Sequence, residues 1–198
     1  MRAAIAFVLL AACSPSIAPG SYECGPEELC PEGEACNGPD GMCVTAAIAE
    51  PFSCASGVGD VEPNDTFDTG SNPLGTDVCV TLPAQISGCV NAGDSEDWYV
   101  LHVKDTCTAA QIDTRVVFPI AFEPLVVEVR AADGSTVASG TDCAGTSDAF
   151  GDHSTCVKTP VAAGGRYAVR VVRAGVQNCG GECAYNRYTA TIQLTQGN

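Results

Sequence analysis

Basic residues are scarce in this chain, with nine Lys and Arg against 24 Asp and Glu and a formal net charge of −15. The imbalance is local, because fifteen acidic residues and no Lys or Arg lie between Ser14 and Lys104. Such a surface repels phosphate, which excludes nucleic acid and an anionic membrane surface as direct partners. It attracts cations, or it simply keeps a cell-surface protein soluble.

Histidine is rarer still, with two residues, and no H-E-x-x-H motif is present. His102 belongs to an apolar strand and His153 to a polar loop, so neither is a strong candidate base. Residues 145–149, Gly-Thr-Ser-Asp-Ala, fall one residue short of the G-x-S-x-G nucleophile elbow. Glu128 and Asp113 remain as an acid/base pair, but both are expected to face outward. We therefore expect no catalytic residues and no enzyme.

Long hydrophobic runs are also missing, and the longest one, Ala3 to Ala12, is too short to span a bilayer. With Arg2 before it, this run predicts a secretory signal peptide over residues 1–12. The segment ends Leu10-Ala11-Ala12-Cys13, which resembles the lipobox of bacterial lipoproteins. The resemblance implies cleavage before Cys13 and fatty acylation there, and several acyl chains anchor a protein stably. The alternative is an ordinary signal peptide with an incidental cysteine.

Cysteine, by contrast, is abundant, with thirteen residues in all. The odd number leaves one thiol over in a secreted chain, and lipidation of Cys13 would leave twelve for six disulfides. Paired cysteines indicate an oxidising compartment. The spacing lacks the C-x2-C pairs that are typical of zinc sites.

Composition divides the mature chain into four parts. These are a lipidated Ser/Pro/Gly/Ala tether over 13–22, a small Cys-rich module over 23–45, a linker over 46–59 and a β-domain over 60–198.

The Cys-rich module has the spacing C-x5-C-P-x-G-x-x-C-x6-C. Its few apolar residues cannot build a core, so disulfides must hold it together. The pattern resembles small knotted modules of the EGF-like or dickkopf type. Of the three connectivities that four cysteines allow, we favour the crossed one, Cys24–Cys36 with Cys30–Cys43. A spacer that binds nothing is the alternative to a binding module.

The β-domain shows short segments of period-two alternation separated by Gly, Pro and Asp turns, and no long helical period. The strongest candidate strands are 97–103, 111–118, 125–130, 136–138, 166–173 and 188–194, with shorter ones at 77–82, 86–90 and 155–161. This pattern predicts an all-β fold, an antiparallel β-sandwich or jelly roll.

Six short motifs follow one another through this domain. They are an acidic segment at Glu62–Thr66, a Gly-ending strand at Ile86–Gly88, D-x-x-D-W-Y at Asp94–Tyr99, a strand with a D-G turn at Leu125–Gly134, and the closing strands G-x-Y-x-V-x-V at Gly165–Val171 and Y-x-A-x-I at Tyr188–Ile192. In this order they resemble the bacterial pre-peptidase C-terminal domain, a β-sandwich appended to many secreted peptidases. The resemblance implies an accessory domain for targeting or binding. The eight cysteines from Cys54 onward depart from the family pattern and suggest additional disulfide bonds.

Two acidic clusters stand out chemically, and their members are Asp60, Glu62, Asn64, Asp65, Asp94 and Asp97. Alternate side chains of an extended strand share one face, so Asp60, Glu62 and Asn64 point together. Ca²⁺ takes about six to eight oxygen ligands. The clostridial collagenase collagen-binding domain, which has the same sandwich, holds calcium with an acid-x-acid-x-Asn-Asp segment and a D-x-x-D pair. That resemblance implies a Ca²⁺ cofactor at these six residues. The alternative is a solvated acidic loop in which Asn64 and Asp97 cap turns.

Further expectations for the β-domain concern glycosylation and disulfide bonds. Asn64-Asp65-Thr66 is a glycosylation sequon, incidental in a bacterial lipoprotein. The expected disulfides are Cys143–Cys156 around a short loop, Cys179–Cys183 in a turn, and Cys79–Cys89 across a hairpin, which leaves Cys54 and Cys107 unassigned.

Taken together, the sequence predicts a non-catalytic envelope lipoprotein at the outer membrane or cell surface. It would be attached through Cys13 and would act as an accessory binding or adhesion module. A protein or polysaccharide of the envelope or extracellular space is the expected partner. A purely structural envelope protein and a hydrolase with an unrecognised site are the alternatives.

Overall fold

The computed structural model describes residues 18–54, 58–144, 151–175 and 185–197. Their strands are β1 Glu34–Asn37, β2 Met42–Thr45, β3 Ala84–Val90, β4 Glu96–His102, β5 Ala110–Pro119, β6 Leu125–Ala131, β7 Thr136–Ser139, β8 Thr141–Asp142, β9 Asp152–Pro160, β10 Arg166–Arg173 and β11 Asn186–Gln196. Single 3-10 turns at Pro26–Glu28 and Ala46–Ile48 are the helical elements of this part of the chain. None of its helices is long and apolar enough to cross a membrane.

Two antiparallel sheets form the β-domain, which confirms the expected all-β class. One has the strand order β4-β10-β6-β7 and the other β3-β11-β5-β9-β8. In the centre of the first, Val169 pairs with Tyr99 on one side and Val129 on the other. In the second, Ala190 pairs with Ile86 and Val116. The strands β3 and β4, consecutive in the chain, are therefore edge strands of different sheets.

The core lies between the two sheets and follows from the alternation in the sequence. On β5, Ile112, Thr114 and Val116 are buried, while Asp113 and Arg115 between them face outward. Fully burying a Val, Leu or Ile side chain stabilises a fold by about 1.5–3 kcal/mol. The buried side chains of both sheets join in one cluster, so the sandwich has a single core.

The Cys-rich module is a β1–β2 hairpin in which Cys36 pairs with Cys43. Its bridges are Cys24–Cys36 and Cys30–Cys43, which is the crossed connectivity. Cys24 and Cys43 are both buried, and they belong to a small cluster that also contains Ala121 and Phe122 of the β-domain.

Arg187 on β11 is one of the contacts that attach the Cys-rich module to the sandwich. Its Nη1 donates to the carbonyl oxygens of Gly38, at 2.6 Å, and of Pro39. Its guanidinium also lies 5.6 Å from the centre of the Phe122 ring, a cation–π distance. On the module side, the Glu28 N–H donates to the Ala121 carbonyl at 3.0 Å.

The segment expected to be a linker packs against both units. The Phe52 ring stacks on Tyr185 at 3.9 Å and meets Phe122 edge-on at 5.1 Å. A Cβ on Gly38 would lie 2.1 Å from the Phe52 backbone nitrogen, so only glycine fits there. Further along, Cys54 forms a disulfide with Cys89 of β3.

The expected Cys79–Cys89 bridge is wrong. Cys79 is bonded to Cys107, 28 residues further along the chain. The chain around Cys79 does not form a hairpin with β3. It lies beside the end of β4, where Val78 bridges Val103, whereas Cys89 lies on β3 and pairs with Arg187 of β11.

The other residues expected to form disulfides or to carry the lipid have different outcomes. Cys143–Cys156 is present, beside the pairing of β8 with β9. Residues 1–12, Cys13 and the pair Cys179–Cys183 lie outside the described residues.

Candidate functional site

The acidic site lies at the end of the sandwich where β3 leads into β4. Asp97 is on the inward face of β4 together with Tyr99, and the Asp97 side chain is fully buried. Tyr188 faces inward from β11 in the opposite sheet. The carboxylate is therefore placed between the two sheets.

A chain of hydrogen bonds links Asp97 to Asp60. The Tyr188 hydroxyl donates to Asp97 Oδ2, and the hydroxyls of Tyr99 and Tyr188 are 2.5 Å apart. The Tyr99 hydroxyl is in turn 3.0 Å from Asp60 Oδ1. Three contacts need three protons and the two phenols supply two, so the complete chain requires one carboxyl to be protonated.

Asn64 holds the acidic segment against the sandwich. Its backbone oxygen accepts from the Trp98 N–H at 2.9 Å, and its Nδ2 donates to Asp60 Oδ1 at 2.7 Å. Its own N–H donates to Glu62 Oε2 at 2.9 Å. The Asn64 side chain is completely buried, so a sugar cannot be attached to it in the folded state.

The carboxylates converge in two overlapping groups. Asp60, Glu62 and Asp97 form one, and Glu62, Asp65 and Asp94 form the other, each with its oxygens within 4.8 Å of one another. Glu62 belongs to both groups. With Asn64 between them, the structure brings together all six residues that the sequence analysis selected.

Burial raises the pKa values of four carboxyls of the site, those of Asp60, Glu62, Asp94 and Asp97. Burial is the main cause for Asp97, whose pKa rises to about 8, with further contributions from the charges of Asp60 and Asp94. Burial and then the hydrogen bond with Asp65 raise the pKa of Asp94 to about 7. Burial also raises the pKa values of Asp60 and Glu62. The site therefore resists carrying its full negative charge without a counterion.

Three oxygens of the site are buried and accept no hydrogen bond. They are Asn64 Oδ1, Asp94 Oδ1 and Asp97 Oδ1. A buried polar atom without a partner costs about 1–3 kcal/mol, and more when it is charged. Complete burial of Asn64 and Asp97 also argues against a simple solvated loop. All the candidate ligand atoms are oxygens, and three of them are buried without a hydrogen bond. Such a site fits a hard cation such as Ca²⁺.

A separate cleft of about 670 Å³ lies between the Cys-rich module and the outer face of the β3-β11-β5 sheet. The module contributes Glu23 and Asp40, and the sandwich contributes Asp152, Arg187 and Thr189. Burial and the nearby Asp152 carboxylate raise the pKa of Glu23. The volume is in the range of small-molecule sites, roughly 300–1,000 Å³.

The candidate acid/base residues do not come together. Glu128 is on β6 and accepts from Arg170 at 2.9 Å, whereas Asp113 is on β5 in the other sheet, 3.6 Å from the Lys158 ammonium. His102 Nδ1 is 2.8 Å from Asp77 Oδ1, and both side chains are more than one third exposed.

The two remaining candidate catalytic positions are His153 and residues 145–149. His153 lies 3.4 Å from the exposed Asp142. Residues 145–149 lie outside the described residues.

Sequence reasoning missed the two tyrosines and Arg187. Tyr99 was detectable, since it is two residues after Asp97 on a strand and must share its face. Tyr188 and Arg187 carried no such signal, because their partners lie on elements distant in sequence.

No protein-family model matches this chain, and no curated protein matches its sequence. Among solved structures it is similar to the pre-peptidase C-terminal domain of a Bacillus anthracis collagenase, with 14% identity, 64% of this chain and 100% of that chain covered, and a TM-score of 0.36. It is also similar to PliG of Salmonella Typhimurium, a periplasmic inhibitor of g-type lysozyme, with 16% identity, coverage of 61% and 99%, and a TM-score of 0.36. This likeness concerns the fold alone.

Proposed function

We propose that this chain is a non-catalytic lipoprotein of the bacterial envelope whose β-sandwich is stabilised by a bound Ca²⁺ ion. The observation that carries the cation is the set of buried, unpartnered oxygens on Asn64, Asp94 and Asp97. When bound, Ca²⁺ supplies the positive charge that these carboxylates lack. Asp60, Glu62, Asn64, Asp65, Asp94 and Asp97 are the residues that would hold it.

The donor set favours Ca²⁺ over other common cations. Zn²⁺ sites in proteins use Cys and His, and neither His nor a thiol belongs to the two carboxylate groups. Mg²⁺ needs a tight octahedron and keeps several waters, which a site already crowded with five carboxylates and an amide does not favour. We therefore expect calcium to bind more tightly than magnesium.

Calorimetry on the purified mature protein tests the cation. We expect heat on adding Ca²⁺ after EGTA treatment, and a melting temperature that rises with Ca²⁺ and rises less with Mg²⁺. A ligand that binds only the folded state adds about 2.7 kcal/mol at a hundredfold excess over its dissociation constant. Asp97→Ala or Asn64→Ala should remove the response. No heat at millimolar Ca²⁺, with an unchanged melting temperature, contradicts the proposal.

The proposed accessory role is binding or adhesion, and the cleft beside Arg187 is the surface on which we place it. The cleft lies between two structural units, and ligand sites occur preferentially at such boundaries. An envelope or extracellular protein or polysaccharide is the proposed partner. Capture experiments compare the intact protein with Asp152→Lys, which reverses one charge of the cleft. Equal capture by both contradicts the cleft as the binding surface, and no capture by either favours a structural protein without a ligand.

The envelope location rests on two observations of different kinds. The described residues contain five disulfides, which persist in oxidising compartments. Cys13 follows the lipobox-like Leu-Ala-Ala. Cys13→Ser should abolish palmitate incorporation and leave the protein unprocessed or soluble. Wild-type protein that takes up no labelled palmitate and leaves the membrane in high salt contradicts the anchor.

A further inference from the structure

Glu23 of the Cys-rich module and Asp152 of the sandwich meet in the cleft beside Arg187. The Glu23 Oε2 atom lies against Gly151, where an added Cβ would be 2.2 Å from it. Gly151 also has a φ of 78°, so glycine is required on both counts. Asp152 follows directly, and both carboxylates line the cleft. Two negative charges from different structural units are therefore held next to each other.

Strand pairing fixes the backbone at both positions. Glu23 forms a bridge with Met42 at the start of β2. Asp152 begins β9 and pairs with Pro119 at the end of β5. The two backbones that carry the carboxylates are thus in place before any ligand arrives, which lowers the cost of binding.

The described part of the chain leaves these two carboxylates without a counter-charge. Among its residues, none makes a hydrogen bond or an ion pair to either side chain. Arg187 is the one Lys or Arg among the described lining residues, and its Nη1 is used by the carbonyl oxygens of Gly38 and Pro39. With Asp40 as a third carboxylate, the described lining keeps an excess of two negative charges. A cationic group placed between the carboxylates would remove their repulsion.

The charge around the cleft has the same sign. Residues 23–45 of the Cys-rich module contain six Asp and Glu and no Lys or Arg. A surface of one sign speeds association with a partner of the opposite sign and disfavours partners of like sign. The cleft and its approach are therefore complementary to a basic partner.

The rest of the lining fits a peptide better than a sugar. Sugar rings are commonly held by flat aromatic side chains, but Tyr188, the one aromatic residue of the described lining, faces the core and is 3% exposed. Pro39, Val117 and Pro119 instead provide small apolar surfaces. The methylene stem of a Lys or Arg side chain covers such surfaces while its charged end stays with the carboxylates.

We infer that the cleft binds a basic segment of a protein partner, with a Lys or Arg side chain inserted between Glu23 and Asp152. This inference rests on the proposed binding function of the cleft and specifies the chemistry of its ligand. Arg187 contributes by holding the Cys-rich module against the sandwich, so that the two carboxylates stay together.

Fluorescence anisotropy of a labelled peptide on the full mature protein tests the inference. The probe is tetralysine with blocked ends, and its matched control is the same peptide with acetylated side chains. Millimolar Ca²⁺ is present throughout, so that the separate acidic site does not compete for the probe. We expect tetralysine to bind, the acetylated peptide to bind far more weakly, and added salt to weaken the binding of tetralysine.

Glu23→Gln is the test variant, because it removes one charge at constant side-chain size. It should weaken the binding of tetralysine by about tenfold or more, as expected when one member of a close charge pair is lost. Glu32→Gln is the matched control, since Glu32 is an exposed residue of the same module outside the lining. It should leave the affinity nearly unchanged. Asp152→Asn should act like Glu23→Gln, and Asp68→Asn, at an exposed position of the β-domain, should act like Glu32→Gln.

The other outcomes overturn the inference in distinguishable ways. Equal losses in Glu23→Gln and Glu32→Gln would show a general attraction to the acidic module. Binding of the acetylated peptide as tight as that of tetralysine would show that charge is not recognised. A glucosamine tetramer that binds more tightly than tetralysine, and depends on Glu23, would replace the basic protein by an amino-bearing polysaccharide.

Comparison with the capture experiment separates this inference from the proposed function. If Asp152→Lys abolishes capture of a partner but tetralysine does not bind, the cleft remains the binding surface and the basic ligand is wrong. If capture does not depend on Asp152 and tetralysine does not bind, the cleft itself is wrong as the binding surface.

Discussion

Tyr99 and Tyr188 come from opposite sheets, and their hydroxyl oxygens lie 2.5 Å apart inside the sandwich. Each also contacts a carboxylate of the acidic site, Tyr99 that of Asp60 and Tyr188 that of Asp97. The pair thus connects the segment 58–78, which carries Asp60, with the two sheets. Because both tyrosines pack in the core and contact carboxylates, a change in core packing affects the charge of the acidic site, and a change in that charge affects the packing.

Tyr188→Phe should lower the free energy of unfolding by about 1–3 kcal/mol, because Asp97 Oδ2 loses its buried donor. Denaturant unfolding in Ca²⁺ measures the change. Tyr167→Phe is the control, since its hydroxyl accepts from the exposed Ala162 N–H and should contribute less. An equal effect of both substitutions would show that the buried chain of hydrogen bonds from Asp97 to Asp60 adds no stability.

The calcium-free protein should lose stability as pH rises. The pKa of Asp97 is raised to about 8 and that of Asp94 to about 7, so the folded state holds these protons more tightly than the unfolded state. Their contribution is complete below about pH 4, the ordinary pKa of Asp. It is lost as pH rises through the folded values.

Melting temperatures in EGTA at pH 5, 7 and 9 test this dependence. We expect a fall across the series, a much smaller fall in saturating Ca²⁺, and tighter Ca²⁺ binding at pH 9 than at pH 6 because fewer protons must be displaced. A melting temperature in EGTA that rises from pH 5 to pH 9 is incompatible with raised carboxyl pKa values.

Arg187→Ala should loosen the Cys-rich module, since the guanidinium donates to Gly38 and Pro39 and lies over the Phe122 ring. Hydrogen bonds from a charged donor contribute about 1.5–3 kcal/mol. Limited proteolysis between residues 46 and 54 should therefore become faster. Arg115→Ala, on the neighbouring β5, removes an exposed arginine whose partner is Ser154 and should leave the cleavage rate unchanged.

Peptide mapping without reduction should link Cys54 to Cys89 and Cys79 to Cys107. These bridges attach the two ends of the segment 58–78 to the sandwich, and each typically contributes about 2–4 kcal/mol. Removing Cys79 and Cys107 together should therefore lower stability by that amount. A Cys79–Cys89 peptide would contradict the path of the chain along β4.

Most strands of the sandwich could be predicted because they bury one face, which leaves a period of two in the sequence. Ile112, Thr114 and Val116 illustrate this on β5. The expected strand at 77–82 is wrong, since this segment forms only an isolated bridge at Val78. The residues of the acidic site could be selected because four of them lie within six residues and the other two are three residues apart. Local spacing was sufficient in both cases.

What could not be predicted depends on contacts distant in sequence. The cysteine spacing predicted no partner for Cys54 or Cys107, because the path of the segment 58–78 across the sandwich determines both partners. The sequence did not distinguish Phe52 from the other linker residues, because its ring contacts with Tyr185 and Phe122 are made with residues distant in sequence. The cleft exists only because the Cys-rich module is attached to β11.

The burial of Asn64 has a practical consequence for producing the protein. A eukaryotic secretory host attaches glycans to Asn-x-Thr as the chain emerges, before the sandwich has closed. A sugar on Asn64 would then occupy the position of an amide that is completely enclosed in the native protein. Material from such a host should misfold. A bacterial periplasmic host, or Thr66→Ala, which removes the sequon without changing any of the six residues of the acidic site, should restore folding.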